Sequence, residues 1–387
     1  MLITFNKENK KKRLGFVFFA LSVFVFGLNI PKISLLIIFA VFFVSSITWG
    51  GKIINDLIVQ VSLLGMFSIM YYSIIYSYGF TDLKSATKLP LLIIVSYATG
   101  YSISQKNTPD WPYGLVWIIL SIAAGFVVFS FLSVYSALSS GHGIELLSRS
   151  APNFWKGGNP INGPILGLFA SLGICLAPVL FFGRDQSPSK RHSVLIIIII
   201  FILVITGAFA NTALQNRSPL IALILSFTFS SFIYFFIEKR NPKHKIKTIF
   251  FITIFLGVLL YLVFQRGYDY SQYLVVNRFE VQGLETGRFD AWMYMLNALP
   301  ENLAGGRLVY LGGLEYVHNL WLDIAYDAGI LPMIFLLIFH VMHLRSFIAV
   351  IRAKLPLLLI LIIVSITVSI FVGFMVEPVM QGSVLYF

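Results

Sequence analysis

Three side chains capable of chemistry stand out in this strongly apolar chain: Arg217, Arg288 and His318. A planar guanidinium can hold two phosphate oxygens at once and stays charged even when it is partly buried. An imidazole, with an ordinary pKa of about 6.5, can accept a proton from a hydroxyl group near neutral pH. Together these residue types predict a site that binds an anionic phosphate group and removes a proton beside it.

Each of these residues also has a structural interpretation that the sequence leaves open. Arg217, in the predicted connection Asn211–Pro219, is either a diphosphate ligand or an anchor at the membrane interface. Arg288 is either an anion ligand or a solvated charge on an amphipathic helix. His318 is either a general base or a structural histidine that bonds the loop backbone.

The polar stretch that contains Arg288 carries signals for two short helices. A helical pattern with an apolar face begins at Arg288 and ends at Pro300. The arginine would therefore lie at the positive end of a surface helix, where anions bind well. Four glycines then allow tight turns: Gly305, Gly306, Gly312 and Gly313. Asn319 is a good cap for a second helix that leads towards the next apolar run. Beyond it, Asp323 could orient the imidazole of His318 if the helix begins there, but Asp323 and Asp327 are expected to be solvated.

The remainder of the chain has the composition of a membrane protein. It is 58% hydrophobic and 11% charged, with a mean hydropathy of +0.87, whereas a soluble domain carries about 25% charged residues. A helix needs about 20 mostly apolar residues to cross a bilayer. The sequence predicts eleven such spans: Leu14–Ile30, Ile33–Trp49, Leu57–Tyr78, Leu89–Ser104, Tyr113–Ala137, Ile165–Phe182, Val194–Ala210, Leu220–Phe236, Ile249–Phe264, Ile330–Leu344 and Leu355–Val376.

The distribution of basic residues predicts the orientation of these spans. With the N-terminus in the cytoplasm, 18 of the 28 Lys and Arg residues fall in inner loops, which leaves 10 outside. Cytoplasmic loops of membrane proteins carry this excess. The basic pI of about 9.6 therefore reflects topology and anionic lipid, and it gives no reason to expect nucleic acid as a partner. We expect a bacterial inner-membrane protein whose candidate residues face the periplasm.

These features predict an all-α polytopic membrane protein with about eleven transmembrane helices, within a range of 10–12. We expect one integral membrane domain over residues 1–387. Residues 265–328 would form an embedded outer loop that contains short amphipathic helices and carries the active site.

Several other functions are disfavoured by what the sequence lacks. None of the predicted spans has Asp, Glu, Lys or Arg in its interior, whereas ion-coupled transporters place charges along their ion path. A Gly-x-x-x-x-Gly-Lys loop is absent, so ATP is not expected as the energy source. His340 and His343 are spaced as a ligand pair could be, but their place at the inner end of a span favours interfacial snorkelling. We expect no metal and no cofactor.

Four short motifs follow one another along the chain: Gly158-Asn159-Pro160-Ile161-Asn162-Gly163, Gln215-Asn216-Arg217-Ser218-Pro219, Gly287-Arg288-Phe289-Asp290-Ala291-Trp292, and His318-Asn319-Leu320-Trp321-Leu322-Asp323 followed by Ala328-Gly329-Ile330. Their order and spacing resemble those of the O-antigen polymerase and O-antigen ligase superfamily. They cover roughly Arg149 to Ile330, about half of the chain. The sequence departs from the family at Asn216, where Ser more often precedes the arginine.

The resemblance implies a GT-C-like polytopic glycosyltransferase. Such enzymes take glycan from undecaprenyl diphosphate at the outer face of the inner membrane, without nucleotide sugar or metal. Arg217 and Arg288 would hold the diphosphate, and His318 would deprotonate the acceptor hydroxyl. Further substrate contacts would come from Asn319, Arg149 and Asn162.

Two reactions in this superfamily differ only in their acceptor. A polymerase transfers glycan to another lipid-linked repeat unit, in O-antigen or capsule biosynthesis, whereas a ligase transfers it to lipid A-core. The Trp-Leu-Asp sequence after Asn319 and the short chain resemble the polymerase more closely, and a chain-length-regulating membrane protein would be its partner. The remaining alternatives are a protein O-oligosaccharyltransferase and, from another class, a flippase or other transporter.

Overall fold

The computed structural model describes residues 7–34, 36–41, 54–104, 111–141, 147, 150–156, 160–183, 190–237, 250, 257, 287–353, 355–377 and 379–382. Arg149 lies outside these residues, as do residues 265–286 of the embedded loop. The predicted span Ile249–Phe264 also lies outside them, apart from two residues.

The described residues are almost entirely helical, as the composition predicts. The helices are α1 (Lys7–Gly27), α2 (Ile54–Ser77), α3 (Leu83–Ser104), α4 (Trp111–Ser139), α5 (Gly163–Ile174), α6 (Ala177–Phe182), α7 (Lys190–Leu214), α8 (Ser218–Ile237), α9 (Arg288–Ala298), α10 (Leu320–Ala328), α11 (Ile330–Arg352), α12 (Leu357–Val376) and α13 (Val379–Gly382). Two short strands, β1 (Ser150–Pro152) and β2 (Pro160–Asn162), pair antiparallel between α4 and α5. This small hairpin is the exception to the predicted all-helical fold.

Seven of the helices in the described part of the chain are long and apolar enough to cross a membrane. The chain is therefore a multi-pass membrane protein. These seven correspond to the third, fifth to eighth, tenth and eleventh predicted spans. The predicted spans Leu14–Ile30 and Leu89–Ser104 fall on α1 and α3. Of Ile33–Trp49, the structure describes helical residues 33–34 and 36–41.

Glycines bring neighbouring helices into close contact. A Cβ atom on Gly125 of α4 would lie 2.3 Å from the carbonyl oxygen of Phe24 in α1, and one on Gly207 of α7 would lie 2.5 Å from the carbonyl oxygen of Ala170 in α5. Because lipid tails are as apolar as the helix surfaces, association of membrane helices depends on such close packing. The α5–α6 pair and α12 are the most buried of the membrane helices, and the others pack around them.

Buried hydroxyl groups join the central helices α5, α8 and α12. Ser171 and Ser369 share a hydrogen bond of 2.6 Å, and Ser226 Oγ lies 3.1 Å from Ser365 Oγ. Hydrocarbon offers these groups no partner, so they must be satisfied within the protein. Ser365 and Ser369 are one helical turn apart on the same face of α12. Glu377 directly follows the last residue of α12, so the buried hydroxyl groups lie along the helix at whose end the candidate residues gather.

The connection before α8 is shorter than the predicted Asn211–Pro219. Because α7 and α8 extend into it from both sides, only residues 215–217 lie outside a helix. Proline suits the first turn of a helix, where its missing N–H group is not needed, and Pro219 accordingly lies inside α8. Arg217 is therefore the last residue before a helix rather than the middle of a loop.

We expect the substitution Gly125→Val to destabilise the protein, because the new side chain would collide with the backbone of Phe24 and push α1 away from α4. Overpacking of this kind costs about 1–3 kcal/mol. Thermal unfolding of the purified protein in detergent measures the effect. Gly65→Ala is the matched control, since its Cβ would meet Ile94 Cδ1 at an ordinary 3.6 Å. Equal melting temperatures for the two variants would contradict the close α1–α4 contact.

Candidate active site

The helix α10 folds back along α11 instead of leading straight into it. Gly329 turns the chain with a φ of 87°, and the Trp321 Nε1 group donates a hydrogen bond of 3.3 Å to His340 Nδ1, 19 residues further on. In one continuous helix these residues would lie about 28 Å apart. The start of α10, with His318 immediately before its cap, therefore lies beside the middle of α11.

The starts of α8 and α9 meet at the end of α12. Arg288, the first residue of α9, donates from Nη1 to the Val376 carbonyl oxygen at 2.6 Å, and its Nη2 lies 3.7 Å from Glu377 Oε2. Ser218, the first residue of α8, donates from Oγ to Glu377 Oε1 at 3.0 Å. Glu377 is only 4% exposed. One buried carboxylate thus joins three helix ends, and Arg288 is not the solvated charge that one interpretation of the sequence allowed.

The start of α10 reaches the same place. Asn319 caps this helix as predicted, because its side chain accepts a hydrogen bond of 3.3 Å from the Leu322 N–H group. Its Nδ2 lies 3.9 Å from the sulfur of Met375, near the end of α12. From the other side, Trp292 of α9 donates from Nε1 to the Val317 carbonyl oxygen at 2.9 Å. These contacts place His318 between α9, α10 and the end of α12.

The three chemically capable residues therefore share one structural setting, the beginning of a helix. Arg217 directly precedes α8, Arg288 begins α9, and His318 lies two residues before the first residue of α10. The unpaired N–H groups at a helix start carry a partial positive charge that favours anions. Two guanidinium groups add to this charge and the Glu377 carboxylate offsets one of them, so the site keeps a net positive charge that suits a phosphate or diphosphate.

His318 has an unusual backbone and a desolvated ring. Its φ is 59°, in the left-handed region that few residues other than glycine adopt. Its Nδ1 atom is buried and, among the described residues, has no hydrogen-bond partner. This nitrogen therefore does not bond the loop backbone, which was the structural interpretation of this residue. Burial lowers the pKa of the imidazole to about 4, and the nearby charge of Arg288 adds to the lowering.

Asp323 is fully buried, so the prediction that it is solvated was wrong. Its carboxylate accepts hydrogen bonds from the backbone N–H groups of Val317 at 2.7 Å and of Asn319 at 3.2 Å. These residues flank His318, so the carboxylate holds the turn that carries the imidazole in its left-handed conformation. Burial, followed by the nearby carboxylate of Asp327, raises the pKa of Asp323 well above its ordinary value.

Asp327 is also fully buried, again contrary to the sequence-based expectation. Its carboxylate accepts a hydrogen bond of 2.7 Å from the Tyr71 hydroxyl of α2 and one of 2.8 Å from Arg307 Nε. The Arg307 guanidinium also lies 4.3 Å from the centre of the Phe80 ring. Because both partners of the carboxylate are far away in the sequence, its burial could not be read from the local pattern. The network fixes the far end of α10.

The remaining predicted residues lie close to the start of α8 or outside the described residues. Asn216 is buried, and its Nδ2 donates to the Gly163 carbonyl oxygen at 3.1 Å. This bond holds Arg217, which is half-buried, next to the start of α5. Asn162 directly precedes α5 at the end of β2 and is exposed. Arg149 lies outside the described residues.

Glu377 is a residue of the site that the sequence does not predict. The only sequence signal is its position, because it is an acidic residue that follows directly after the last predicted span, Leu355–Val376. An acidic residue at that position would ordinarily be interpreted as a loop charge exposed to water. The structure shows instead a buried group that holds Arg288.

The two histidines of α11 have different surroundings. His340 is half-buried and accepts the Trp321 hydrogen bond, whereas His343 is exposed on the helix surface, with its ring stacked 6.0 Å from that of Phe339. Across the residues that the structure describes, no three His, Cys, Asp or Glu side chains are grouped as metal ligands.

A scan against models of known protein families and a search of curated proteins find no match to this chain. The case for its function therefore rests on the geometry of this site and on the order of its short motifs.

We expect Arg288→Ala to lower thermal stability, because it removes a cation from beside the buried carboxylate of Glu377. Loss of such a partner costs on the order of 2 kcal/mol. The double variant Arg288→Ala with Glu377→Gln should recover most of the melting temperature, since a neutral amide no longer needs the cation. If the second substitution lowers stability further, Glu377 does not depend on Arg288.

Proposed function

We propose that this protein is a metal-independent glycosyltransferase. More closely, we propose a polysaccharide polymerase that transfers glycan from undecaprenyl diphosphate onto another lipid-linked repeat unit. The observation that carries the proposal is the convergence of Arg217, Arg288 and His318 at three helix starts, at one end of a membrane bundle. The order of the same residues in the chain resembles that of the O-antigen polymerase and ligase superfamily.

The arginines are assigned to the donor. Its diphosphate is already a good leaving group, so the protein needs fixed cations where negative charge grows as the glycosidic bond breaks. Arg288 is held in place by Val376 and Glu377, and Arg217 by the short connection between α7 and α8. The starts of α8 and α9 add their partial positive charges. A guanidinium that is already held loses little freedom when the diphosphate binds.

His318 is assigned to the acceptor. Its neutral imidazole accepts the proton of the acceptor hydroxyl as that oxygen attacks the anomeric carbon of the donor glycan. The bond between the anomeric carbon and the diphosphate oxygen breaks, and its electron pair leaves with undecaprenyl diphosphate. The glycan is then joined to the acceptor through a new C–O bond. Orientation of the two substrates on fixed helix ends supplies much of the rate.

The finer topology is part of the proposal. We assign eleven spans, a cytoplasmic N-terminus and a site at the periplasmic face of the inner membrane, in a GT-C-like arrangement. The starts of α5 and α8 and the end of α12 gather at the site, and the alternation of the predicted spans puts these same ends on the outer face. The donor's lipid tail would then stay in the bilayer during transfer. The proposed sugar contacts are Asn319, Asn162 and Arg149.

A transfer assay with purified protein tests the proposal. We expect the protein to elongate a polyprenyl-diphosphate-linked repeat unit in the presence of EDTA and without ATP, with longer lipid-linked glycans as the product. Transfer to lipid A-core, with no elongation, would identify a ligase instead. Intact donor that only crosses the membrane of a vesicle would identify a flippase, and a strict need for a divalent ion would contradict the metal-independent mechanism.

Arginine variants in the same assay test the assignment of the donor site. Arg217→Ala and Arg288→Ala should each abolish transfer, and lysine at either position should restore only part of it, because an ammonium cannot grip phosphate oxygens in the bidentate way. The variant Arg288→Ala with Glu377→Gln separates catalysis from folding, since it should regain stability and remain inactive. Normal product length from either alanine variant would remove that arginine from the mechanism.

The pH dependence tests His318. Only the neutral imidazole accepts a proton, so activity is present above its pKa and is lost as the pH falls through it. With a pKa of about 4 in the free protein, kcat/KM should stay level from neutral pH down to about 5 and then fall. Bound diphosphate would offset the charge of Arg288 and raise the pKa of the imidazole, so kcat should begin to fall at a higher pH than kcat/KM.

The matched variant is His318→Ala. It should lower turnover by about 10² to 10⁴, leave donor affinity nearly unchanged and lose the acid inflection that belongs to the imidazole. Circular dichroism over the same pH range shows whether the fold persists. A variant that keeps full turnover, or keeps the same inflection, would show that another group takes the proton.

A further inference from the structure

The hydrogen bond between Trp321 and His340 lies next to the turn that carries His318, which is called the catalytic turn below. Trp321 is in the first turn of α10, three residues after His318, and donates to His340 Nδ1 at 3.3 Å. The Trp321 ring also contacts Phe371 and Phe374, near the end of α12, with ring centres at 6.1 and 6.5 Å. The pair therefore joins α10 to α11 close to Asn319, the cap of α10, and close to the end of α12.

The two ends of α10 are held in different ways. Its far end is fixed by the buried carboxylate of Asp327, which bonds Tyr71 and Arg307. At its near end, Asp323 accepts hydrogen bonds from the turn on its own segment and so shapes that turn. The bond from Trp321 to His340 ties the near end to α11, and a longer contact of 3.9 Å from Asn319 Nδ2 to the Met375 sulfur reaches α12.

The chemistry of the pair is specific. An indole N–H group can only donate, so His340 Nδ1 must be an unprotonated acceptor in this contact. The ring of His340 is also packed at 5.5 Å against Phe374 and at 5.6 Å against Phe339. A phenylalanine at position 340 would keep the ring packing and remove the acceptor, which leaves the partly buried indole N–H group of Trp321 without this partner.

We infer that His340 is a positioning residue that acts through Trp321 to set the start of α10, and with it His318, relative to Arg288. The inference rests on the proposed function, because it assigns a role in that same transfer reaction. His340 touches neither substrate and takes no proton. It fixes the helix end from which the base is presented, and small displacements of such a group cost large factors in rate.

Four variants test this in the transfer assay. We expect His340→Phe and Trp321→Phe each to lower turnover by about tenfold, with donor KM changed less than twofold. The double variant should be no less active than the less active single variant, because the two substitutions remove the same hydrogen bond. His340→Asn should recover most of the activity, since its side-chain oxygen can replace Nδ1 as the acceptor. His343→Phe, three residues along the same helix, is the matched control and should behave as wild type.

A readout that needs no activity accompanies the kinetics. Trp292 donates to the carbonyl oxygen next to His318, so 5-fluorotryptophan at position 292 reports on the catalytic turn by fluorine NMR, with its signal assigned through Trp292→Phe. His340→Phe should shift this signal, and His340→Asn and His343→Phe should leave it in place. An unmoved Trp292 signal in His340→Phe, or turnover per folded molecule equal to wild type, would overturn the inference. Wild-type protein that transfers nothing would instead overturn the proposed function, whatever the NMR signal shows.

Discussion

Burial of the Glu377 carboxylate is the constraint on which the candidate site depends. A carboxylate that has left water needs cations or hydrogen-bond donors within the protein, because an isolated buried charge is very costly. Glu377 finds them in Arg288 and Ser218, which are the first residues of two different helices. Three helix ends are therefore drawn to one group. The same requirement brings the first residue of α8 and the first residue of α9 together, although seventy residues separate them in the chain.

The apolar surroundings explain why the site is built from helix ends rather than from helix faces. A helix satisfies its own backbone except at its termini, and near a bilayer those orphan groups must find partners in the protein. Asn319 caps one N–H group of α10, and Asp323 accepts two more from the turn before it. At α8 and α9 the helix starts carry guanidinium groups beside them. The partial charge of each helix start and the full charge of its guanidinium group are both positive, so an anionic ligand complements them.

Local chemistry in the sequence predicts the elements of the site, and long-range pairing decides how they are assembled. The start of α9 at Arg288 follows from the apolar face of its helical pattern and the cap at Asn319 from helix-capping rules, and both predictions are confirmed. The hydrophobic periodicity of the sequence does not predict that α10 folds back along α11. A turn at Gly329 would allow α10 either to fold back or to lead straight into α11. The burial of Asp327 depends on Tyr71, 256 residues away. Glu377 resembles an ordinary charge at the end of a span until its partners are seen.

The position of Arg288 between Glu377 and His318 gives one residue two opposing electrostatic effects. Burial is the larger cause of the lowered pKa of His318, and the charge of Arg288 adds to it, so the imidazole stays in the neutral form that a proton acceptor requires. The same charge makes the imidazole a weak base, because a group that is hard to protonate takes a proton reluctantly. Binding of a diphosphate would satisfy Arg288 with negative charge and relieve that opposition. In the proposed reaction the base would therefore strengthen when the donor is in place, so that proton removal from the acceptor is tied to the presence of a leaving group.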